Sequence, residues 1–395
     1  MPVALDIPAI QKALAEENLD GWLLYDFHGS NPIAASLTGL ASSPKMTTRR
    51  WYYLVPAHGD PRALVHAIER HNLDALPGTK QPYAGRTQLT DGLKGLLAGC
   101  RRVAMEYSPN CAIPYISRVD AGTVEAVREL GIEVVSSGDL VQRFDAIWSA
   151  EALEAHRTAS AALYRIKDRA FEFTRAARRA ARPLHEFELQ QQMVRWFEEE
   201  GLISDSAPIV AAQENAGNPH YAPTAAESRA IGADEVLLLD LWGRWPAAGS
   251  VFADITWVGF TGAQVPDEHR EVFAAAVDGR DAAIALVQEA ARQGRELRGW
   301  EVDRAARSAI ERAGFGRYFI HRTGHSLGDS VHGNGVHMDD YETHDERRLI
   351  PGTGFTIEPG IYLDRFGVRT EINMYVGERE ALVTGPAQSK IVTLG

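Results

Sequence analysis

Apolar positions follow two different rhythms along this 395-residue chain. Up to about residue 145, short apolar runs alternate with helical patterns: WLLY at 22–25, WYYLV at 51–55, ALVHAI at 63–68, RRVAMEY at 101–107 and EVVSS at 133–137. Each has strand length and is bounded by turn residues or helix-like stretches, such as 119–130, where Val124, Val127 and Leu130 recur on one face. Residues 151–200 change character. A long Ala-, Arg- and Glu-rich pattern carries Leu163, Ile166, Ala170 and Phe173 on one side and stops at Pro183; a second helix, 187–200, ends at Gly201. Further helices are predicted at 267–293 and 300–313, the latter closed by Gly314, with apolar strands between and after them. The chain therefore reads as two domains, residues 1–149 and 150–395, in line with a usual size of about 150 residues each.

Composition narrows the class. Hydrophobic residues make up 45% and charged residues 24%, as in an ordinary globular protein, and 41 basic against 53 acidic residues leave a net charge of −12. That balance, without a basic patch of useful length, argues against nucleic acid as a partner. Two cysteines, Cys100 and Cys111, exclude a disulfide scaffold and a cysteine zinc site. No apolar run has the length of a membrane span, and the acidic start lacks the features of a signal peptide, so the expected location is the cytoplasm. The first domain contains no glycine-rich phosphate loop.

The chemistry sits in acidic residues placed inside apolar strands. Asp240 follows 236–239 in EVLLLDLWG, Asp254 stands within VFADITWVGF, and Gly243, Pro246 and Gly249 between them suggest a hairpin that brings the two aspartates together. Glu358 is enclosed by apolar residues in GFTIEPGIYL; in GVRTEINMYV, alternation puts Arg369, Glu371, Asn373 and Tyr375 on one face. A salt bridge or a strand end accounts for any one such acid. Four of them, with a histidine cluster between the pairs, call for a shared cation, because a buried unpaired carboxylate is costly. Five histidines, His321, His325, His332, His337 and His344, fall within residues 321–344 among glycines that permit close backbone approach, and His220 sits in the Pro-flanked loop NPHYAPT. His28 and His269 have no such context and read as structural.

The order His220, Asp240, Asp254, His325, His332, Glu358, Glu371 resembles the pita-bread metallopeptidases: methionine aminopeptidases, Xaa-Pro aminopeptidases and prolidases. TGHSLG, with a histidine seven residues after His325, is similar to the family's GHG-type segment; TIEPGIYL and RTEINMYV are similar to its glutamate strands. The resemblance implies an α/β (α+β) chain with a creatinase-like N-terminal domain, serving substrate access and dimerisation, followed by a pita-bread catalytic domain. It implies a two-metal centre, with Asp240 on one ion, Asp254 and Glu371 bridging, and His325 and Glu358 completing the other. One imidazole among four carboxylates is an oxygen-rich set that favours Mn²⁺ or Co²⁺, with Zn²⁺ also able to bind. Hydrolysis would use a water held between the ions, with Glu358 accepting its proton. His332 would bond the substrate carbonyl or the gem-diolate, His220 would contact the substrate near the scissile bond, and Arg369 would orient carboxylates.

The long first domain favours a prolidase or an Xaa-Pro aminopeptidase over a methionine aminopeptidase. The implied activity is hydrolysis of the Xaa-Pro bond, foremost in dipeptides, with short proline-containing peptides as substrates and a homodimer as the assembly. A dipeptidase needs a cation for the proline carboxylate, and Arg49 or Arg50 in SSPKMTTRRWYY is the expected source, two solvated arginines at a strand start being the plain alternative. Two other classes share the fold: a creatinase-like metal-free hydrolase and a non-enzymatic binding protein. The complete ligand set counts against both. Two departures from the family pattern stand out. Gly333 follows His332 where relatives carry an acid, and NGVHMDDYETHDE is long, which leaves the role of the His337 segment open.

Overall fold

The computed structural model describes residues 5–41, 43 and 46–395, so Ser42, Pro44 and Lys45, in the loop ahead of the arginine pair, lie outside the described residues, as do the first four. The chain divides into two compact units, Met1–Asp145 and Ala146–Gly395.

The first unit is one six-stranded sheet. Its strands are β1 (Gly21–Asp26), β2 (Trp51–Pro56), β3 (Arg62–His66), β4 (Thr79–Tyr83), β5 (Arg102–Met105) and β6 (Glu133–Ser136), in the order β4-β3-β2-β1-β5-β6. Among the described residues, five α-helices accompany them: α1 (Ile7–Glu16), α2 (Pro32–Leu37), α3 (Arg86–Leu96), α4 (Ala121–Arg128) and α5 (Gly138–Phe144). Ile10, Leu14, Ile33 and Leu140 pack with Trp22 and Leu24, while Leu89, Leu93, Val124 and Val127 pack with Leu23 and Tyr25. Both faces of β1 are thus covered, which explains its uninterrupted apolar run. The helix predicted at 119–130 is shorter, because Asp120 caps it by accepting a hydrogen bond from the Thr123 backbone at 2.9 Å. Strand β4, TKQPY, had no apolar signature; it is a mostly exposed edge strand, where Pro82 is tolerated.

In the second unit, α6 (Ala150–Arg179) and α7 (Glu186–Glu200) flank the Pro183 break, and α7 ends on Gly201 in the left-handed conformation, φ 74°. They cover one face of a four-stranded sheet, β15-β9-β8-β7, made of β7 (Ile209–Ala212), β8 (Val236–Gly243), β9 (Ala253–Phe260) and β15 (Val392–Thr393). Leu237, Leu239, Leu241, Ala253 and Ile255 join Leu163, Ile166, Leu189 and Met193 on that side. Val236, Leu238, Val258 and Phe260 face the other way, toward Val272 and Ala276 of α8 (Asp267–Gln293). The two-residue period therefore turns Asp240, Asp254 and Thr256 away from α6 and α7. The fourth helix of the unit is α9 (Gly299–Arg312).

The remaining strands form a long ribbon with a break in its middle. β10 (Gly354–Ile357) pairs with β13 (Ile372–Val376), and β11 (Gly360–Leu363) with β12 (Phe366–Arg369); β14 (Ala381–Val383) adds to β13. Glu358–Pro359 and Thr370–Glu371 lie opposite each other at the break. Each glutamate expected inside a continuous strand instead stands at the joint between two, since Pro359 has no amide proton to continue a ladder.

Candidate metal centre

Two hairpins and one loop build the centre. In the β8–β9 ladder Asp240 lies opposite Thr256, and Trp242 opposite Asp254, so both aspartates share a face. The ribbon break supplies the glutamates: the Glu358 amide donates to the Thr323 carbonyl at 2.7 Å, and the Glu371 amide to the Thr256 carbonyl at 3.4 Å. The alternation read in GVRTEINMYV survives the break. Arg369 donates to Asp240, Glu371 accepts from Thr256 Oγ1 at 2.7 Å, and Asn373 Oδ1 accepts from the Asp254 amide at 3.0 Å.

His325 arrives on the glycine-rich segment. Its amide donates to Thr356 Oγ1 at 3.0 Å, and a Cβ on Gly324 would stand 2.0 Å from the Thr356 carbonyl oxygen, so only glycine permits this approach. Nδ1 of His325 faces the Ser326 carbonyl at 3.1 Å. A carbonyl only accepts, which assigns the proton to Nδ1 and leaves the Nε2 lone pair toward Glu358, 3.4 Å away, and Asp254, 3.6 Å away.

Ligand atoms of Asp254, His325 and Glu371 lie within 4.8 Å of one another, and all three side chains are buried. Glu358 joins through His325. Asp240 is bound to Arg369, whose Nε donates to Thr256 Oγ1 at 2.9 Å. Burial, and for Asp254 and Glu371 the neighbouring carboxylates, raise the pKa of all four acids; Glu358 is pushed up to about 7. Burial likewise holds His325 well below the usual imidazole range. Oδ1 of Asp254 is buried without a hydrogen-bond partner. Crowded, desolvated carboxylates, an orphan oxygen and a bare imidazole nitrogen are the donor set a divalent cation satisfies, and they fit the metal the sequence implied.

The other predicted residues are placed as follows. His332 stacks edge-on against His325 with ring centroids 4.4 Å apart, and its pKa is lowered by its packed surroundings and by Arg322. His220 is exposed, on the loop after β7. His337 is fully buried, and its Nδ1 accepts from the Ser326 amide at 3.1 Å while its own amide donates to Asp345. Asp345 in turn holds Arg347, so the long segment braces the His325 loop from behind. Arg49 and Arg50 belong to the first unit; both are exposed, and Arg49 bonds to Thr48.

Two functional residues, Thr256 and Tyr362, carry no signal strong enough to be singled out from sequence. Thr256 links Arg369 to Glu371, and its position two residues beyond Asp254 was the available signal. Tyr362 accepts from Arg369 at 3.0 Å and bonds His321 Nε2 at 2.8 Å, which ties His321 to Asp240 through a chain of hydrogen bonds. Burial lowers His321 to about 3, so it acts as a neutral acceptor here.

A mixed α/β unit with a buried, carboxylate-rich cation site carrying one imidazole defines a divalent-metal protein. Residues 152–378 match the model of metallopeptidase family M24, more than half of the chain, and the chain belongs to that family. It is 34% identical over 175 residues to an Xaa-Pro dipeptidase of Lactobacillus helveticus, covering 44% of this chain and 43% of that protein. Against the probable dipeptidase PepE of Mycobacterium tuberculosis (strain ATCC 25618 / H37Rv) it is 27% identical over 267 residues, 67% of this chain and 65% of the relative. The matched stretches thus span less than two thirds of these relatives. The solved dipeptidase of Pyrococcus horikoshii OT3 superposes over 98% of this chain and 99% of that one, with a TM-score of 0.64 and 26% identity. Dipeptidase PepE from Mycobacterium ulcerans shares the fold over 98% and 96% of the two chains, at a TM-score of 0.74 and 21% identity.

Proposed function

We propose that this chain is a metal-dependent dipeptidase that hydrolyses the bond between an N-terminal residue and proline. The observation that carries the reading is the convergence of Asp254, His325 and Glu371, flanked by Glu358 and Asp240, in a buried cluster with an orphan carboxylate oxygen. Those five side chains would hold two divalent ions, with Mn²⁺ first on the hardness of the donors, and the ions would polarise the scissile carbonyl and make water acidic enough to act as a nucleophile near neutral pH.

The chain's own groups do the rest. Glu358 Oε1 is the proton acceptor, because it stands 3.4 Å from His325 and is the least enclosed of the four acids. His332, stacked on His325, is placed to hydrogen-bond the substrate carbonyl as charge develops on its oxygen, and His220 approaches from the loop after β7. Arg369 fixes Asp240 and, through Thr256, Glu371. The reading also includes a cytoplasmic homodimer of two-domain chains (residues 1–149 and 150–395), with Arg49 or Arg50 binding the proline carboxylate. The relatives' names support a dipeptide substrate, and both arginines are exposed, as contact with a substrate requires.

After Mn²⁺ loading, hydrolysis of Ala-Pro is compared with that of Ala-Pro-Ala. Cleavage of the dipeptide with little of the tripeptide is the expected result. Faster cleavage of the tripeptide makes the chain an Xaa-Pro aminopeptidase and removes the need for an arginine clamp; cleavage of neither overturns the reading.

A further inference from the structure

Asp303, on α9, is a carboxylate with no exposed surface. Its Oδ1 accepts from the Thr323 hydroxyl at 2.7 Å and from the Thr323 amide at 2.8 Å, an amide it shares with the Met338 carbonyl. Arg307, one helical turn on, donates from Nε to Asp303 Oδ2 at 2.9 Å and from Nη2 to Oδ1 at 3.1 Å. The same guanidinium holds the chain leading to Thr323, through the carbonyls of Phe319 and His321 at 2.9 and 2.8 Å. It lies over the Phe319 and Tyr341 rings, 4.2 and 4.4 Å from their centroids. Tyr341 belongs to the long segment NGVHMDDYETHDE, which grips α9 a second time through Asp340 and Arg304.

We propose that Asp303, locked by Arg307, is a positioning residue for the His325–Glu358 half of the metal centre and acts through Thr323. The inference rests on the metal-dependent reading above and names what fixes that half. Thr323, also without exposed surface, stands two residues before His325, and its carbonyl accepts the Glu358 amide at 2.7 Å. Glu358 sits at the ribbon break, between the ladder pairs Ile357–Ile372 and Gly360–Arg369, so Thr323 holds it where the ladder does not. The Thr356 hydroxyl completes the frame, accepting from the His325 amide at 3.0 Å and donating to Glu358 Oε1 at 3.2 Å. Thr323 thus sets the place of both ligands, and a metal site tolerates only about ±0.2 Å in its ligand distances. A carboxylate is needed at position 303 because every bond to it comes from a donor; the NH₂ of an asparagine would face either Thr323 or the Arg307 guanidinium, donor against donor. Asp240 is held separately, by Arg369, so the bracket acts on one side of the centre.

The test measures Mn²⁺ binding to the full chain by equilibrium dialysis, in the wild type and in Asp303→Asn, Thr323→Val and Thr323→Ser. Asp303→Asn and Thr323→Val are expected to weaken one ion about 10- to 100-fold, as loss of a group that orients a metal ligand does, while Thr323→Ser, which keeps the hydroxyl, stays near the wild type. Tyr341→Ala shifts the affinity in the same direction by less. Two backgrounds separate positioning from a general loosening of the fold. With Asp240→Ala, the remaining ion is the one on His325 and Glu358, and Asp303→Asn weakens it by the same factor. With His325→Ala, the remaining ion is indifferent to Asp303→Asn. Equal losses in both backgrounds, or wild-type affinity in Asp303→Asn and Thr323→Val alike, overturn the assignment. A wild-type chain that takes up no Mn²⁺ instead sinks the metal-dependent reading, and this inference with it.

Discussion

Each of the two units buries acid, and the contrast between them separates structure from chemistry. In the first unit Glu106 has no exposed surface. Trp22 Nε1 donates to it at 2.7 Å, Asn31 Nδ2 at 2.8 Å and Ser137 Oγ at 3.0 Å, so each oxygen is satisfied within the sheet's core. In the second unit four acids share one buried cluster, where neighbouring carboxylates raise the pKa of Asp254 and Glu371 and Asp254 Oδ1 has no partner. Burial alone says little about function. What distinguishes the second site is coordination capacity that the protein does not use up.

That contrast can be broken by mutation. Asp254→Ala or Glu371→Ala should lower peptide turnover by about 1,000-fold or more and reduce the bound metal, because each removes a predicted bridging ligand. Assay with elemental analysis checks this, and near-normal activity with full metal content would end the dinuclear picture. Glu106→Ala should behave in the opposite way. It strands three buried donors and opens a cavity, at a stability cost of about 3 kcal/mol in chemical denaturation, while metal content per folded chain stays at the wild-type level. A stability change near zero would mean that the three donors find other partners. The smallest effect is the most diagnostic. In the metal-free protein Asp254→Asn should stabilise by about 1 kcal/mol, since it relieves repulsion among the carboxylates. Destabilisation would show that Asp254 is already satisfied without a cation.

Much of this architecture was legible because it is local. The Asp240–Asp254 hairpin, the helix stops at Pro183 and Gly201 and the glycines around His325 each leave a signature within a few residues. Glu106 marks the boundary of that method. It follows the apolar run of RRVAMEY much as Asp240 follows that of EVLLLD, yet its partners come from positions 22, 31 and 137, and no window of sequence shows whether a buried acid is satisfied. The ribbon break was hidden for a related reason. The two-residue alternation runs straight through 369–373, so periodicity predicts an unbroken strand while the ladder in fact changes partner beside Pro359.

The two hairpins also bear on how the centre comes into being during folding. Asp240 and Asp254 are joined by a single turn-containing segment, and Glu358 and Glu371 by the β11–β12 tip, so each pair is brought together by closing a short loop. Short-loop closures are fast, and neither pair depends on a distant strand finding its register. The meeting of the two hairpins brings four acids together, and the Thr256, Arg369 and Asn373 bonds that cross between them favour it. A divalent cation held by those acids would lower the electrostatic cost of bringing them together. A bound cation would then serve the assembly of the site as well as its chemistry.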